Sequence, residues 1–356
     1  NQSELTDQYY SKTSKWVGAN RNGLANRLTK QMFTELFETT VNYDKDLGGT
    51  NLAILAGYSY QYFYNEGFGM QGGNFLTDEF SNNNIGTALD FSKGLGEVVS
   101  YANSNKLVAF FVRGNLNVNG NYFVSVSARY EGSSRFGANN KWGLFPAVSA
   151  GVTLSNLVEI PAVNSLKLRA SYGVTGNQPR DSYLSLPRLG QTGYFFYNNE
   201  YVPAYGPVSN ANPDLKWETK AEFDFGLDFG MLDNRLTGTA DYYIRSTEDL
   251  LLSVAVPVPP NLYRETLVNI GELENQGFEL ALNYAAINRA NLTWSTGINF
   301  ATMKTKVVSL SSGALSVGEG GTLYRANMGS PGQNDTRLVR VKEGDELGQL
   351  WGPVQE

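Results

Sequence analysis

The sequence predicts an all-β fold: an antiparallel, up-and-down transmembrane β-barrel of which this chain forms part. Three observations carry that expectation: side chains alternate in polarity along segment after segment, the segments are long enough to cross a bilayer, and short and long connectors take turns. Successive side chains of a strand point to opposite faces. Tyr122-Val124-Val126-Ala128-Tyr130 interleaved with Ser125-Ser127-Arg129-Glu131 therefore makes one apolar and one polar face. Ala221-Phe223-Phe225-Leu227-Phe229, interleaved with Glu222-Asp224-Gly226-Asp228, repeats the pattern. Shared by many strands of spanning length, it turns the apolar faces to lipid and the polar faces to a wet interior.

Ten segments read as strands: 24–43, 52–64, 107–118, 122–131, 142–154, 166–174, 217–231, 236–245, 277–284 and 292–303. The third sets Val108, Phe110, Val112 and Leu116 against Arg113, Asn115 and Asn117. In the sixth, Leu166, Leu168, Ala170 and Tyr172 oppose Lys167, Arg169 and Ser171. Phe278, Leu280, Leu282 and Tyr284 oppose Glu279 and Asn283 in the ninth, and Leu292, Trp294, Ile298 and Phe300 oppose Thr293, Ser295 and Asn299 in the tenth. A tilted strand needs about 9–11 residues to span a bilayer, whereas globular strands average about 5–6. The length favours a membrane.

Connectors 44–51, 119–121, 155–165, 232–235 and 285–291 are short, and 65–106, 132–141, 175–216, 246–276 and the stretch after 304 are long. If strands run up and down in order, every short turn falls on one side, as in outer-membrane barrels. Tyr122, Tyr130, Tyr172, Trp217, Tyr242, Tyr284 and Trp294 suit interfacial girdles, and ordinary packing also accounts for each of them.

Composition narrows the function. The absence of Cys and His removes the usual zinc, haem, thiolate and imidazole chemistries; no nucleophile-elbow or P-loop pattern is present, so an enzyme is not expected. A net charge of −6 argues against nucleic acid as a partner. No apolar run of about 18 residues marks a transmembrane helix, which leaves a barrel untouched. No signal peptide is visible, and 352–356 do not read as a strand. Residues 1–356 are expected to be an interior piece of a barrel domain.

Several blocks, in order, resemble the SusC/RagA family of TonB-dependent outer-membrane transporters. They are Gly72-Gly73-Asn74-Phe75-Leu76-Thr77-Asp78, the run from Arg129 to Gly137 with Trp142 to Ser149, Leu168 to Gln178, Asn212-Pro213-Asp214-Leu215-Lys216-Trp217-Glu218, Asn269 to Gly277, and Glu343 to Gly352. The resemblance implies a barrel of roughly 22 strands with a plug inside it in the outer membrane of a Gram-negative bacterium. It implies import of a large nutrient, oligosaccharide or peptide, powered through TonB, with a SusD-like surface lipoprotein as lid and no cofactor. Plug, TonB-contacting box and terminal barrel strand are not seen in these residues, so the chain is expected to be a contiguous middle portion of the barrel. A SusC-like scaffold within a larger envelope assembly is the alternative function, and a soluble all-β binding protein or carbohydrate hydrolase is a third.

Against that background, three groups of residues are candidate sites. The aromatic loop with Tyr194, Phe195, Phe196, Tyr197, Tyr201 and Tyr205 offers rings to stack on sugar faces or peptide side chains, and loop-on-loop or lid packing explains it equally. Arg135, in a Gly- and Ser-rich turn, is placed to touch a ligand or the lid, while turn chemistry alone accounts for its block. Glu222, Asp224 and Asp228, with Arg113, Arg129 and Arg169, fall on the polar parity and are expected to face the lumen or the plug. Salt bridges across a wet lumen explain the carboxylates without acid/base catalysis or a bound cation.

Overall fold

A strand presents unpaired N–H and C=O groups along both edges, and these must be met by neighbouring strands. The computed structural model describes residues 2–14, 17–313, 315–318, 321–327 and 337–352 and divides them into two units, Asn1–Phe37 with Ser59–Leu107 and Glu38–Tyr58 with Val108–Glu356. The strands, in chain order, are β1 (Gln2–Tyr10), β2 (Leu24–Asp46), β3 (Thr50–Gly73), β4 (Glu97–Val118), β5 (Tyr122–Ser133), β6 (Trp142–Thr153) and β7 (Val163–Asn177). There follow β8 (Leu189–Tyr197), β9 (Glu200–Pro207), β10 (Glu218–Met231), β11 (Leu236–Glu248), β12 (Leu251–Ala255), β13 (Glu265–Asn269), β14 (Glu272–Arg289) and β15 (Leu292–Ser309). The last are β16 (Ser311–Ser312), β17 (Leu315–Ser316), β18 (Thr322–Asn327), β19 (Arg337–Lys342) and β20 (Gln349–Leu350).

Ten strands follow one another in one sheet in the order β2-β3-β4-β5-β6-β7-β10-β11-β14-β15, and β1 is the eleventh, beside β2. The ten are the strands the sequence predicts. The register holds parity across the sheet. Val126 faces Val148, Val148 faces Tyr172, Tyr172 faces Phe223, and Phe225 faces Tyr242, which faces Phe278. Ser125, Ser149, Ser171 and Asp224 align on the other face. Val126, Leu144 and Ile298 are 54%, 59% and 62% exposed. A contiguous apolar face of this size is a liability in water and is solvated by hydrocarbon. The sheet does not close among the described residues, and β15 has no strand beyond it.

Tight turns join the strands at the short-connector end. At 119–121 the backbone of Asn119 and Gly120 is left-handed (φ 52° and 68°), and Gly120 N–H donates to Asn117 Oδ1 at 3.0 Å. At 232–234 three consecutive residues are left-handed, Leu232 among them. That is a strained conformation for a branched side chain.

In the first unit β1 pairs antiparallel with β2, from Gln2 opposite Met32 to Tyr10 opposite Leu24. Ala25, Phe75, Ile85 and Ala88 form its buried core, with Tyr9, Met70 and Phe91 packed on it. Asp90, 3% exposed, is paired with Arg21 and accepts the Gly73 N–H at 2.8 Å. The Arg27 guanidinium grips Asp7 through two bonds of 2.7 and 2.9 Å.

Several expectations need correction. β1 is a strand that the sequence reading does not identify, because QSELTDQYY carries no apolar face. β3 and β4 continue well into 65–106, which was expected to be connector; beyond the bilayer a strand needs only backbone pairing, so the alternation lapses. Residues 193–205 are not an irregular loop but lie within the β8–β9 hairpin. Trp217, expected as an interfacial anchor, is 6% exposed: its ring packs 4.6 Å from Phe136 and 5.2 Å from Phe145, and Nε1 donates to Lys141 O at 3.1 Å. Of the expected terminal segment, 353–356 lie outside the described residues.

At the long-connector end the second unit builds a core of its own. Val254, Ile270, Val307, Leu310, Val317 and Val341 are buried together, from β12, the end of β13, β15 and β19 and the turns between them.

Candidate functional site

The polar face of the second unit's sheet is organised by glycines placed opposite long charged side chains. Gly226 in β10 is the register partner of both Arg169 in β7 and Asp241 in β11. With no side chain in the way, Arg169 Nε and Nη2 each donate to Asp228 at 2.9 Å, and Nη2 donates to Asp241 Oδ1 at 2.8 Å. A planar guanidinium suits such a two-toothed grip. On the same face Arg245 Nε donates to Glu222 at 2.7 Å and its guanidinium lies 5.1 Å from the Tyr243 ring. Lys220 approaches Glu222 at 3.9 Å.

Toward β4 and β5, Arg129 makes two bonds of 2.9 and 2.8 Å to Glu131 and lies 5.6 Å from the Phe111 ring. Lys167 stands 4.5 Å from the Phe123 ring. Arg113 and Asp224 have no ion pair among the described residues. A depression of about 410 Å³ on this face is lined by Asn115, Asn117, Phe123, Lys167, Arg169 and Asp224, among others. The structure thus joins Arg169 with Asp228, links Glu222 to Arg245 and Arg129 to Glu131, and leaves Arg113 and Asp224 apart. Asp241 and Arg245 were not among the expected site residues. The signal was present in β11, where Asp241, Tyr243 and Arg245 alternate with Ala240, Tyr242 and Ile244.

The other candidates sit at the long-connector end. Asn198 and Asn199, both left-handed (φ 49° and 66°), close the two-residue turn of the β8–β9 hairpin, the conformation that favours Asn and Gly there. Tyr194 faces Pro203 and Phe196 faces Tyr201, whose ring centroid is 5.2 Å away; Phe195 and Tyr197 occupy the opposite face, and Tyr205 pairs with Gln191. All six rings are exposed, from 49% for Phe195 to 74% for Tyr201. Arg135 is turned into its own loop. Nη1 donates to Pro179 O at 3.0 Å, and burial pushes the guanidinium below its ordinary range, against the pull of Asp181.

Asparagine side chains hold the hairpin's base. Asn210, buried, donates to Tyr263 O at 2.7 Å, Glu265 O at 3.1 Å and Thr266 Oγ1 at 2.7 Å, and accepts the N–H groups of Leu262 and Tyr263 at 3.0 and 2.8 Å. Asn212 donates to Leu267 O, and Asn269 exchanges bonds with Lys216 N–H and O. The segment before β10 is thereby zipped to β13. Among the described residues no group of three or more Asp or Glu side chains is placed to hold a metal ion.

The TonB dependent receptor-like, beta-barrel family matches this chain over residues 2–338, and a barrel wall accounts for a sheet with one exposed apolar face, its charges gathered on the other and its turns sorted by length. The chain belongs to that family. It is 34% identical over 350 residues to the TonB-dependent receptor P3 of Formosa agariphila, covering 96% of this chain and 33% of that protein. Over 309 residues it is 33% identical to the TonB-dependent receptor SusC of Bacteroides thetaiotaomicron, covering 83% and 29%. The fold also matches the RagAB peptide transporter with a TM-score of 0.75 at 21% identity, over 96% of this chain and 36% of that one. The chain spans about a third of the length of the relatives it matches. Members of the family are outer-membrane proteins of Gram-negative bacteria, and the exposed apolar face of this SusC/RagA-type sheet is its lipid-facing surface.

Proposed function

We propose that residues 1–356 are barrel wall in a SusC/RagA-type importer that takes up a large nutrient, oligosaccharide or peptide, through TonB, and that a SusD-like surface lipoprotein covers its external loops. The observation that carries this reading is the segregation of faces: apolar residues outward and exposed, charges inward and paired across strands, in a chain a third identical to a SusC protein. No catalytic step is assigned. The inward carboxylates Glu222 and Asp228 are committed to arginines, and Arg113 and Asp224 are left to meet a plug in the lumen. The exposed rings of Tyr194, Phe195, Phe196, Tyr197, Tyr201 and Tyr205 are offered to ligand or lid, and Arg135 supports their surroundings.

Deleting the full-length gene and measuring uptake of labelled oligosaccharide and peptide pools tests the proposal. Loss of uptake of one pool, mimicked in the parent strain by a protonophore, is expected. Undiminished uptake of both would overturn it.

A further inference from the structure

The three-stranded sheet β18-β19-β20 has two unlike faces. Leu323, Val339 and Val341 pack on the core at the long-connector end. Because side chains alternate, Tyr324, Arg340 and Lys342 project from the opposite face, with Tyr324 paired to Arg340 and Arg340 to Gln349. Trp351 follows β20 and is 45% exposed. Its ring lies 4.8 Å from the Arg340 guanidinium and 6.1 Å from the Tyr324 ring, which in turn carries the Arg337 guanidinium at 5.2 Å. The row therefore reads Tyr324, Trp351, Arg340, with Lys342 beside it; Arg337, at the start of β19 on the parity of Val339 and Val341, joins it only through its guanidinium over the Tyr324 ring.

We infer that this face binds an anionic oligosaccharide, its sugar rings lying on Trp351 and Tyr324 and its carboxylates or sulfates meeting Arg337, Arg340 and Lys342. The inference rests on the importer reading and narrows its substrate class. Charge supports it: of the three cations, Arg340 is paired with Asp345 at 3.1 Å, and Arg337 and Lys342 have no carboxylate partner among the described residues. The exposed indole of Trp351 and the half-buried phenol of Tyr324 offer flat apolar surface to the C–H side of a pyranose, while the stacked Arg337 guanidinium and the Lys342 ammonium carry N–H groups for charge-assisted pairing with an anion. A neutral glycan would use the rings but not the cations. An acidic peptide would use the cations but lacks a ring-sized C–H face.

The test is titration calorimetry on the full-length protein in detergent micelles, with a galacturonate hexamer as probe and maltohexaose and hexaglutamate as comparators. The galacturonate hexamer binds, and Trp351→Ala or Arg337→Gln weakens it by about tenfold or more, the loss of one stacking or charge-assisted contact. Trp351→Phe retains most of the affinity, and each variant is first checked for heat-modifiable migration as a sign of a folded barrel. Wild-type affinity in the folded Trp351→Ala and Arg337→Gln variants overturns the inference. So does equal affinity for maltohexaose or hexaglutamate, or no binding of the galacturonate hexamer by wild-type protein. Uptake of a neutral glycan or peptide pool alongside such a result leaves the importer reading standing and removes only this site.

Discussion

Arg169 lies across Gly226: a methyl group built on that glycine would stand 2.6 Å from the guanidinium carbon and 2.5 Å from Asp241 Oδ1. The absence of a side chain at 226 is thus what lets one arginine bridge aspartates from two different strands. Gly226→Ala is expected to displace the guanidinium and cost about 1–3 kcal/mol through overpacking. Arg169→Lys does not restore the bridge, because a compact ammonium cannot make the two-toothed contact. Thermal unfolding in micelles should show both variants below wild type, and an unchanged midpoint for Gly226→Ala would refute the account.

From one buried side chain Asn210 meets four backbone groups and the Thr266 hydroxyl, its two amide hydrogens shared among three acceptors and its oxygen accepting two N–H groups. Asn210→Ala strands those backbone groups, at an expected cost of about 2–3 kcal/mol, localised to the loops it joins. Hydrogen exchange should quicken in 208–216 and 262–267 while the β5–β7 amides stay protected. Uniform behaviour across both regions would argue against a local clamp.

The alkaline limb of stability is set partly by Tyr9. Burial, and then its bond to the Asp78 carboxylate, push the phenol from its ordinary 10 up to about 12. The folded state therefore holds this proton more tightly than the unfolded one. The resulting stabilisation is complete below about pH 10 and is lost as pH rises toward about 12. Tyr9→Phe should flatten that part of the profile, and difference absorbance near 295 nm should place the missing phenolate step above those of ordinary tyrosines.

In the second unit Glu343 accepts bonds from the Ser311 hydroxyl and the Leu310 N–H, each at 2.7 Å. The hydroxyl first, then the backbone, hold its carboxyl below the usual 4.5. Its contribution is present above pH 4.5 and lost as pH falls through the lowered value. Glu343→Gln should make proteolytic nicking around 309–318 independent of pH over that acid range, whereas wild type is nicked faster as the carboxyl protonates.

Phe225 faces Ala170 on one side and Tyr242 on the other, within the apolar face. Phe225→Arg is expected to cost about 2–4 kcal/mol of folding into vesicles, as cations do on the lipid face of a barrel. Ser171→Arg, on the polar face, should be far milder. Equal effects would place lipid on the wrong side of the sheet.

The extent to which sequence anticipates this molecule follows the bilayer. Where both lipid and a wet interior act on a strand, every second residue is constrained, so β5, β7, β10 and β14 are readable residue by residue. β1 and the outer parts of β3 and β4 lie under no such constraint, so their sequence carries no alternation that marks a strand. Tyr194 to Tyr205 showed aromatic content but not pairing, because the Asn198-Asn199 turn that makes it a hairpin is only two residues in a long polar connector.

Composition and period alone determined the fold class, the ten sheet strands and the two faces, since these depend on local side-chain order. Only the tertiary structure decided which charges are partners. Arg169 takes Asp228 and Asp241, Arg129 takes its neighbour Glu131, and Trp217 is buried against Phe136 and Phe145. The Arg169 pairings depend on strand register and on the space that Gly226 clears, and both are set by contacts 59 and 72 residues apart that no local pattern encodes.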